Sequence, residues 1–413
     1  MATVASYTPA MKQVYKPENL EISRYDSRPG IGLLPKDESF AGENMPIPIQ
    51  HAGNQMRSHA FTTAQATSKN STWKRFLLTP HENWALAHVT SQVVARTVNN
   101  KLAFLRVLRV EFDSAYDDLA DSLETEFYRD ENGVLGVVAT SGITTTTLTL
   151  DDAHTITNFE LGMELVFAST ATGSIRSGSA TITGIDRSAG TLTSDSNWAT
   201  QVSGATDADS LFGEGDAPNG GDAVGMAGLA SWLLASAPSG GESHFSVDRS
   251  TDSRLWGTYH DGAEDLIENA LIDGQSKAAQ LHSGRIECYV LNNVQYRRLV
   301  KQLGAKVEYD QTAAMGGKGK IALVAYQGVK IIGDHGPISV IAANKCQSNI
   351  AWGLQKDKWK LCSVGPLMRV DDTDGNEYLR RGSAPGVEQR QVSWSNLACK
   401  SPGRNVRVAL QAA

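Results

Sequence analysis

Residue types that chemistry uses are present in this chain, so their spacing is the first test. Ser71-Thr-Trp-Lys74 has the SxxK spacing of a serine nucleophile beside a lysine base. Such a pair works with KTG or SDN partners that bind and polarise the substrate, and none accompanies it, so the match reads as chance. Gly316-Gly-Lys-Gly-Lys320 has the composition of a phosphate loop, in which bare main-chain N–H groups and a lysine surround the anion. It follows a predicted helix, the wrong side for a cradle that opens onto a helix N-terminus, and reads as a flexible or packing loop. Asp371-Asp-Thr-Asp-Gly-Asn-Glu377 offers oxygen ligands at nearly the spacing of a calcium loop. Val370 stands where the first ligand should be, and Arg381 replaces the closing glutamate six residues beyond Gly375. A hairpin with Asp374-Gly375 at its turn is the preferred reading.

His81 and His88 are seven residues apart, and none of the nine histidines pairs as HExxH. Cys288, Cys346, Cys362 and Cys399 form no CxxC pair and have no histidine at ligand spacing, which reads as buried thiols in a reducing compartment. No GxGxxG follows a strand and no GxSxG elbow occurs. No catalytic residue, cofactor site or metal ligand is therefore assigned, and enzymatic activity is not expected.

The balance of the 413 residues narrows the classes further. With 38 Lys+Arg against 45 Asp+Glu, the net charge of −7 argues against a protein whose work is gripping phosphates. At 41% apolar and 20% charged the chain is globular, and its length predicts two or three domains. No run approaches the ~18 apolar residues of a membrane span. The nearest, Ala223 to Ala237, is broken by Gly225, Gly228 and Ser231, so no membrane partner is expected. Met1 to Ala10 lacks a basic stretch followed by an apolar one, so no secretory signal is expected.

The elements that would position these residues follow from periodicity. Residues 1–42 are polar, carry Pro9, Pro17, Pro29 and Pro35, and read as an extended arm without a core of its own. In residues 43–80, Met45-Pro-Ile-Pro-Ile and Trp73 to Leu78 are strand-like arms around a polar tip, the pattern of a long projecting hairpin. A lone hairpin is marginal in water, so this one must rest on another part of the fold. Leu105, Leu108, Phe112, Tyr116, Leu119, Leu123 and Phe127 recur every three or four residues and predict one helix from Thr97 to a stop at Gly133. About thirty helical residues span ~45 Å. Arg96, Lys101, Arg106 and Arg109 come early, then Glu111, Asp113, Asp117, Asp118, Asp121, Glu124 and Glu126 with no cation among them. That order opposes the helix dipole, so something outside the helix must set it.

From Thr140 to Phe212 there are 26 Ser+Thr, two arginines and no lysine, a shift abrupt enough to mark a separate unit. Thr144 to Leu150, Met163 to Phe167 and Ala180 to Ile185 alternate as half-buried strands do, and Asp186 to Gly190 supplies a hairpin loop. Gly213 to Gly221 is the exit linker. An α/β pattern follows: a helix over Asp265 to Leu281 with Leu266, Ile267, Ala270, Leu271, Ala278 and Leu281 as its apolar face, a strand at Ile286 to Leu291, and a helix over Asn293 to Leu303. A polar loop, Glu308 to Lys320, leads to strands at Ile321 to Ala325, Gly328 to Ile332, Ile338 to Ala342, Ile350 to Leu354 and Trp359 to Cys362. Leu367 to Val370, Glu377 to Arg380 and Gly386 to Cys399 close the chain as strands.

This order of parts resembles the Johnson fold of tailed double-stranded-DNA bacteriophage major capsid proteins. Local strings are similar too: Ala237-Pro-Ser-Gly-Gly-Glu-Ser-His-Phe245, Tyr289-Val-Leu-Asn-Asn-Val-Gln-Tyr296, Trp359-Lys-Leu361 and Leu397-Ala-Cys-Lys-Ser-Pro-Gly403. The resemblance implies an α+β capsid subunit: N-terminal arm 1–42, extended loop 43–80, peripheral domain with spine helix 81–139, inserted β domain 140–212, axial domain 213–364 and closing peripheral strands 365–413. It implies self-assembly into hexamers and pentamers of an icosahedral shell, a location in the virion after assembly in the host cytoplasm, and packaged DNA met without sequence-specific contact by the acidic helix face.

Only some forty polar residues precede the hairpin, so a separate scaffolding protein is expected, with a portal and a possible decoration protein as further partners. Some relatives cross-link through a Lys–Asn isopeptide bond helped by a Glu. No motif places either partner beside Lys69 or Lys74, so cross-linking is not expected. The alternatives are an encapsulin-like compartment shell, which shares the fold, and a β-rich tail or adhesin component, which the Thr-rich segment alone supports.

Overall fold

The computed structural model describes residues 28–54, 57–91, 101–218, 223–303, 329–371, 375, 379–380 and 385–411, with main chain only over 101–110. The chain begins with helix α1 (Pro29–Leu33) and strand β1 (Lys36–Asp37). Strands β2 (Met45–Ala52) and β3 (Thr72–Leu78) form an antiparallel hairpin, with helix α2 (Phe61–Ala66) near its tip. Strand β4 (His81–Thr90) then leads towards helix α3 (Lys101–Tyr128). Strands β5 (Gly136–Ile143), β6 (Thr147–Leu150), β7 (Glu164–Ala168), β8 (Ala180–Asp186) and β9 (Thr191–Ser194) follow. Helix α4 (Trp198–Gln201) and strand β10 (Ser210–Gly213) complete this group, and β5 to β10 close as a barrel in the order β10-β5-β6-β9-β8-β7.

Beyond the barrel come helix α5 (Leu229–Trp232), the pair β11 (Ser243–His244) and β12 (Val247–Asp248), and strand β13 (Thr258–Gly262). Helix α6 (Ile267–His282), strand β14 (Cys288–Leu291) and helix α7 (Asn293–Leu303) precede β15 (Val329–Gly333), β16 (Gly336–Ala342) and β17 (Ile350–Leu354). The last strands are β18 (Trp359–Ser363), β19 (Arg369–Val370), β20 (Leu379–Arg380), β21 (Gly386–Cys399) and β22 (Val406–Leu410).

Two sheets frame the molecule. In the first, β21 is the long central strand, with β4 along one edge and β18, β19 and β20 in succession along the other, while β1 pairs parallel to β18. Helix α3 lies across β4 and β21. The second sheet runs β13-β22-β17-β14-β16-β15. Its strand β14 is buried on both faces. Cys288 and Val290 enter the main core, and Tyr289 and Leu291 enter a second core under α6 and α7. This is why Cys-Tyr-Val-Leu reads as an unbroken apolar run. The barrel has a third core of its own, with Leu148, Phe159, Phe167, Trp198 and Leu211 fully buried.

Several expectations are corrected. Tyr116, placed in the apolar stripe of α3, is 44% exposed, and the buried face is Ala115, Leu119, Ala120, Leu123, Phe127 and Tyr128. Leu266 and Leu281, assigned to the apolar face of α6, are 56% and 52% exposed. Gly274 and Gln275 are buried instead, since a Cβ at 274 would stand 2.7 Å from Val408 and 3.0 Å from the Tyr289 hydroxyl. The hairpin turn expected at Asp374-Gly375 falls largely outside the described residues; the flanking strands β19 and β20 each run antiparallel to β21, pairing Val370 with Gln391 and Leu379 with Glu388. Strands β4, β13 and β22 were not expected. In β4 the inward residues are His81, Asn83, Ala85, Ala87 and Val89 while Trp84 and Leu86 face outwards, which inverts the pattern by which strands are recognised. Thr97, the Glu308 to Lys320 loop and the Ile321 to Ala325 strand lie outside the described residues.

Candidate functional site

The motifs resolve into structural roles. Ser71 Oγ accepts from Trp73 Nε1 at 3.1 Å, while Lys74 Nζ donates to Asp248 O and Thr251 Oγ1, both at 2.8 Å. Lys74 thus pins the hairpin to the β11–β12 segment and forms no base for Ser71. His81 and His88 sit on opposite faces of β4, as an odd separation in a strand requires, and cannot share an ion. Burial holds the His81 imidazole below the usual histidine range. All four cysteines are buried and unpaired. Burial pushes the Cys288 and Cys362 thiols up to about 11 and raises Cys346 and Cys399 further, so none is a ready nucleophile. Gly316 to Lys320 and most of Asp371 to Glu377 lie outside the described residues. Among the described residues, His260, Asp265 and Asp273 bring ligand atoms within 4.8 Å of one another, with both carboxylates exposed at the surface. A groove of about 330 Å³ runs between Leu86–Thr90 of β4 and Glu111, Ser114, Ala115 and Asp118 of α3.

Two features are built with more care than any of these. The first is the hairpin. At its base Ile47, Ile49, Phe76 and Leu78 are buried in the main core, and Phe76 meets Trp232 edge-on with ring centroids 5.0 Å apart. The Leu77 N–H donates to Phe245 O, and Arg254 Nη1 donates to His51 O. Towards the tip the pattern reverses: Phe61 is 80% and Trp73 60% exposed. Pro46 and Pro48 remove two N–H groups from β2, which blunts it as an edge for a further strand.

The second is the carboxylate row of α3. Arg28 Nε donates to Asp121 Oδ1 at 2.7 Å and Nη1 to Asp117 Oδ1 at 3.2 Å. The Gly30 and Ile31 N–H groups donate to the two Glu124 oxygens at 2.8 and 2.9 Å, and the Tyr128 hydroxyl donates to Oε1 at 3.1 Å. Glu124 therefore caps helix α1 from ninety-odd residues away in sequence. Burial raises its pKa, opposed by those three hydrogen bonds. Glu126 accepts from Asn83, Ser122 and the Met226 N–H. Asp117, Asp121, Glu124 and Glu126 are thus turned to contacts within the chain, so the acidic helix face does not comprise all seven acids. Glu111, Asp113 and Asp118 are the exposed ones. The charge order that opposes the dipole has its cause here, because the acids receive the donors of α1, of β4 and of the segment leaving the barrel.

The barrel docks on the second sheet's loop through Ser348 Oγ donating to Asp152 Oδ2 at 2.8 Å and Lys345 Nζ donating to Thr157 O at 2.6 Å. Its two arginines are both committed, Arg176 to Asp209 and Arg187 to Glu160.

Comparison with known structures places this architecture. The chain is similar to a subunit of the cyanophage A-1(L) capsid asymmetric unit, with a TM-score of 0.57 and 12% identity over 99% of each chain. It is also similar to the capsid of the native GTA particle, with a TM-score of 0.48 and 10% identity over 100% of this chain and 99% of that one. A further similar structure is the holo-SrpI encapsulin complex from Synechococcus elongatus PCC 7942, with a TM-score of 0.43 and 7% identity over 99% and 95%. No protein-family model and no curated protein sequence matches the chain. At 12% identity the first likeness is one of fold, and end to end the fold is that of a phage capsid subunit.

Proposed function

We propose that the chain is the major capsid protein of a tailed double-stranded-DNA bacteriophage, a non-enzymatic subunit that assembles as hexamers and pentamers into an icosahedral shell around the genome. The observation that carries the reading is the hairpin: a base fixed in the core and a projecting tip that exposes Phe61 and Trp73, on a chain with the capsid-subunit fold throughout. An exposed aromatic tip on a rigid arm is a surface for another copy of the same chain. In this reading residues 43–80 are the extended loop lying on a neighbour, 81–139 and 365–413 the peripheral domain, 213–364 the axial domain, and 140–212 a guest β domain. The exposed acids of α3 face packaged DNA without holding it. Assembly uses a separate scaffolding protein and a portal, and the barrel offers a place for a decoration protein. Electron microscopy of the purified protein, with and without phage co-expression, tests the reading. Closed shells of hexamers and pentamers are expected, and discrete small oligomers would overturn it. Shells that enclose a host enzyme and no DNA would move the protein to the encapsulins.

A further inference from the structure

His260, Asp265 and Asp273 come from three successive parts of the chain: strand β13, the turn after it, and helix α6. A Cβ on Gly262 would stand 2.5 Å from the Ala270 Cβ, so β13 and α6 touch closely at that point. His260 lies two residues before Gly262 and shares its face of the strand; Asp273 lies three residues after Ala270 and shares its side of the helix. The Asp265 N–H donates to Gly262 O at 3.1 Å and tightens the turn between them. The Ile267 N–H donates to Gln302 Oε1 at 3.1 Å and fixes the start of α6 on α7. One ligand atom from each of His260, Asp265 and Asp273 lies within 4.8 Å of the other two. Among the described residues no other three histidine, cysteine or carboxylate groups gather in this way.

We propose that these three side chains bind a divalent transition-metal ion of the zinc type at the edge of the second sheet. They have no other work in the fold. Among the described residues no side-chain hydrogen bond or ion pair uses either carboxylate or the imidazole, and His260 Nε2 is enclosed without a partner. The acids of α3, by contrast, are held by donors of their own chain. Two carboxylates brought together without a cation repel, and a doubly charged ion cancels both. The imidazole decides the class of ion. Calcium and magnesium take six or more oxygens, whereas one nitrogen with two carboxylate oxygens suits zinc and its neighbours in the periodic table. Bonds of about 2.0–2.2 Å would set adjacent ligand atoms ~3.3 Å apart, a closure that the two exposed aspartates reach by rotating their side chains. The fourth position faces solvent and takes a water. Strand β13 is the outermost of its sheet, bordered by β22 alone, and the ion would tie it to α6 as well. All three ligands belong to one chain, so the site stands or falls independently of the shell-forming reading.

The test is titration of cobalt chloride, then zinc chloride, into the purified full-length chain after treatment with a chelator. Cobalt reports its own coordination through visible absorption, and zinc should displace it. The wild type is expected to take up a single cobalt ion per chain beyond whatever the variants bind. Asp265→Asn and Asp273→Asn, both at exposed positions, should fold as the wild type does by circular dichroism and bind that ion roughly tenfold more weakly or worse, since losing a ligand costs at least as much as losing a group that orients one. His260→Gln should weaken binding to the same extent. Zinc should raise the unfolding temperature of the wild type and leave those of the three variants where they are. Calcium and magnesium chloride at the same concentration should not displace cobalt. Absence of saturable binding by the wild type, aspartate variants that titrate as the wild type does, or displacement of cobalt by calcium or magnesium overturns the proposal.

Discussion

Gly30 has almost no room. A Cβ there would lie 2.7 Å from Phe127 Cδ1, 2.8 Å from the Tyr128 hydroxyl and 2.9 Å from Glu124 Oε1, all on the helix that the N-terminal clasp grips. Gly32, two residues on, meets nothing within 4 Å. Gly30→Ala is therefore expected to lower stability by about 1–3 kcal/mol through overpacking and the loss of the Glu124 cap. Gly32→Ala should be neutral or slightly stabilising. Urea unfolding of the two variants beside the wild type makes the comparison. None of this was legible in the sequence. Glu124 stands there as one of seven acids on a helix, and only a contact between residues 94 apart turns it inward. The motif residues misled for the same reason. Lys74 looks like a partner for Ser71 because they are near in sequence, whereas its true acceptors lie 174 and 177 residues away.

Among the elements, the hairpin divides into a part that holds the fold together and a part that does not. Phe76 is fully buried between the hairpin and Trp232, so Phe76→Ala is expected to cost about 3–5 kcal/mol, measured by thermal or denaturant unfolding. Phe61→Ala with Trp73→Ala should leave the unfolding transition within about 0.5 kcal/mol and abolish or strongly slow particle formation, scored by sedimentation and negative-stain microscopy. Normal assembly of that double variant would remove the hairpin tip from the proposed contact. The hairpin was legible because both arms alternate and the tip is polar. Helix α7 was legible to its ends, since Gln295, Leu299 and Leu303 return at the helical period. Strand β4 was not: its inward face is narrow, Ala85, Ala87 and Val89, because α3 lies close over it, and its large residues look outwards. Packing distance, which sequence does not carry, decided that inversion.

At the scale of the whole molecule, the barrel is the separable part. Its strands pair only with one another, and its core shares no residue with the other two large cores. Gly136 and Leu211 are register partners, so the two ends of the excision lie side by side. Replacing residues 136–213 with a short Gly–Ser linker should leave a chain that folds and still closes into shells, checked by circular dichroism and by counting closed particles. Loss of closed particles with folding intact would make the barrel an assembly element and not a display one. The change of composition at Thr140 falls inside the barrel's first strand, which begins at Gly136 in ordinary sequence, and that strand, β9 and β10 were not legible by alternation.

The order in which these parts can form follows from where β21 finds its neighbours. It borders β4 and β18 together, so the first sheet cannot exist until early and late stretches of the chain meet; the Asn396–Thr79 hydrogen bond spans 317 residues and the Lys360–Asp37 one 323. The barrel needs no such meeting, because each of its pairings is internal to fewer than eighty residues. Loop closure makes the barrel the early event in the folding of this chain and the sheet the late one. Through that interval β21, fourteen residues long and bare on both edges, is the stretch at which one unfinished molecule would stick to another.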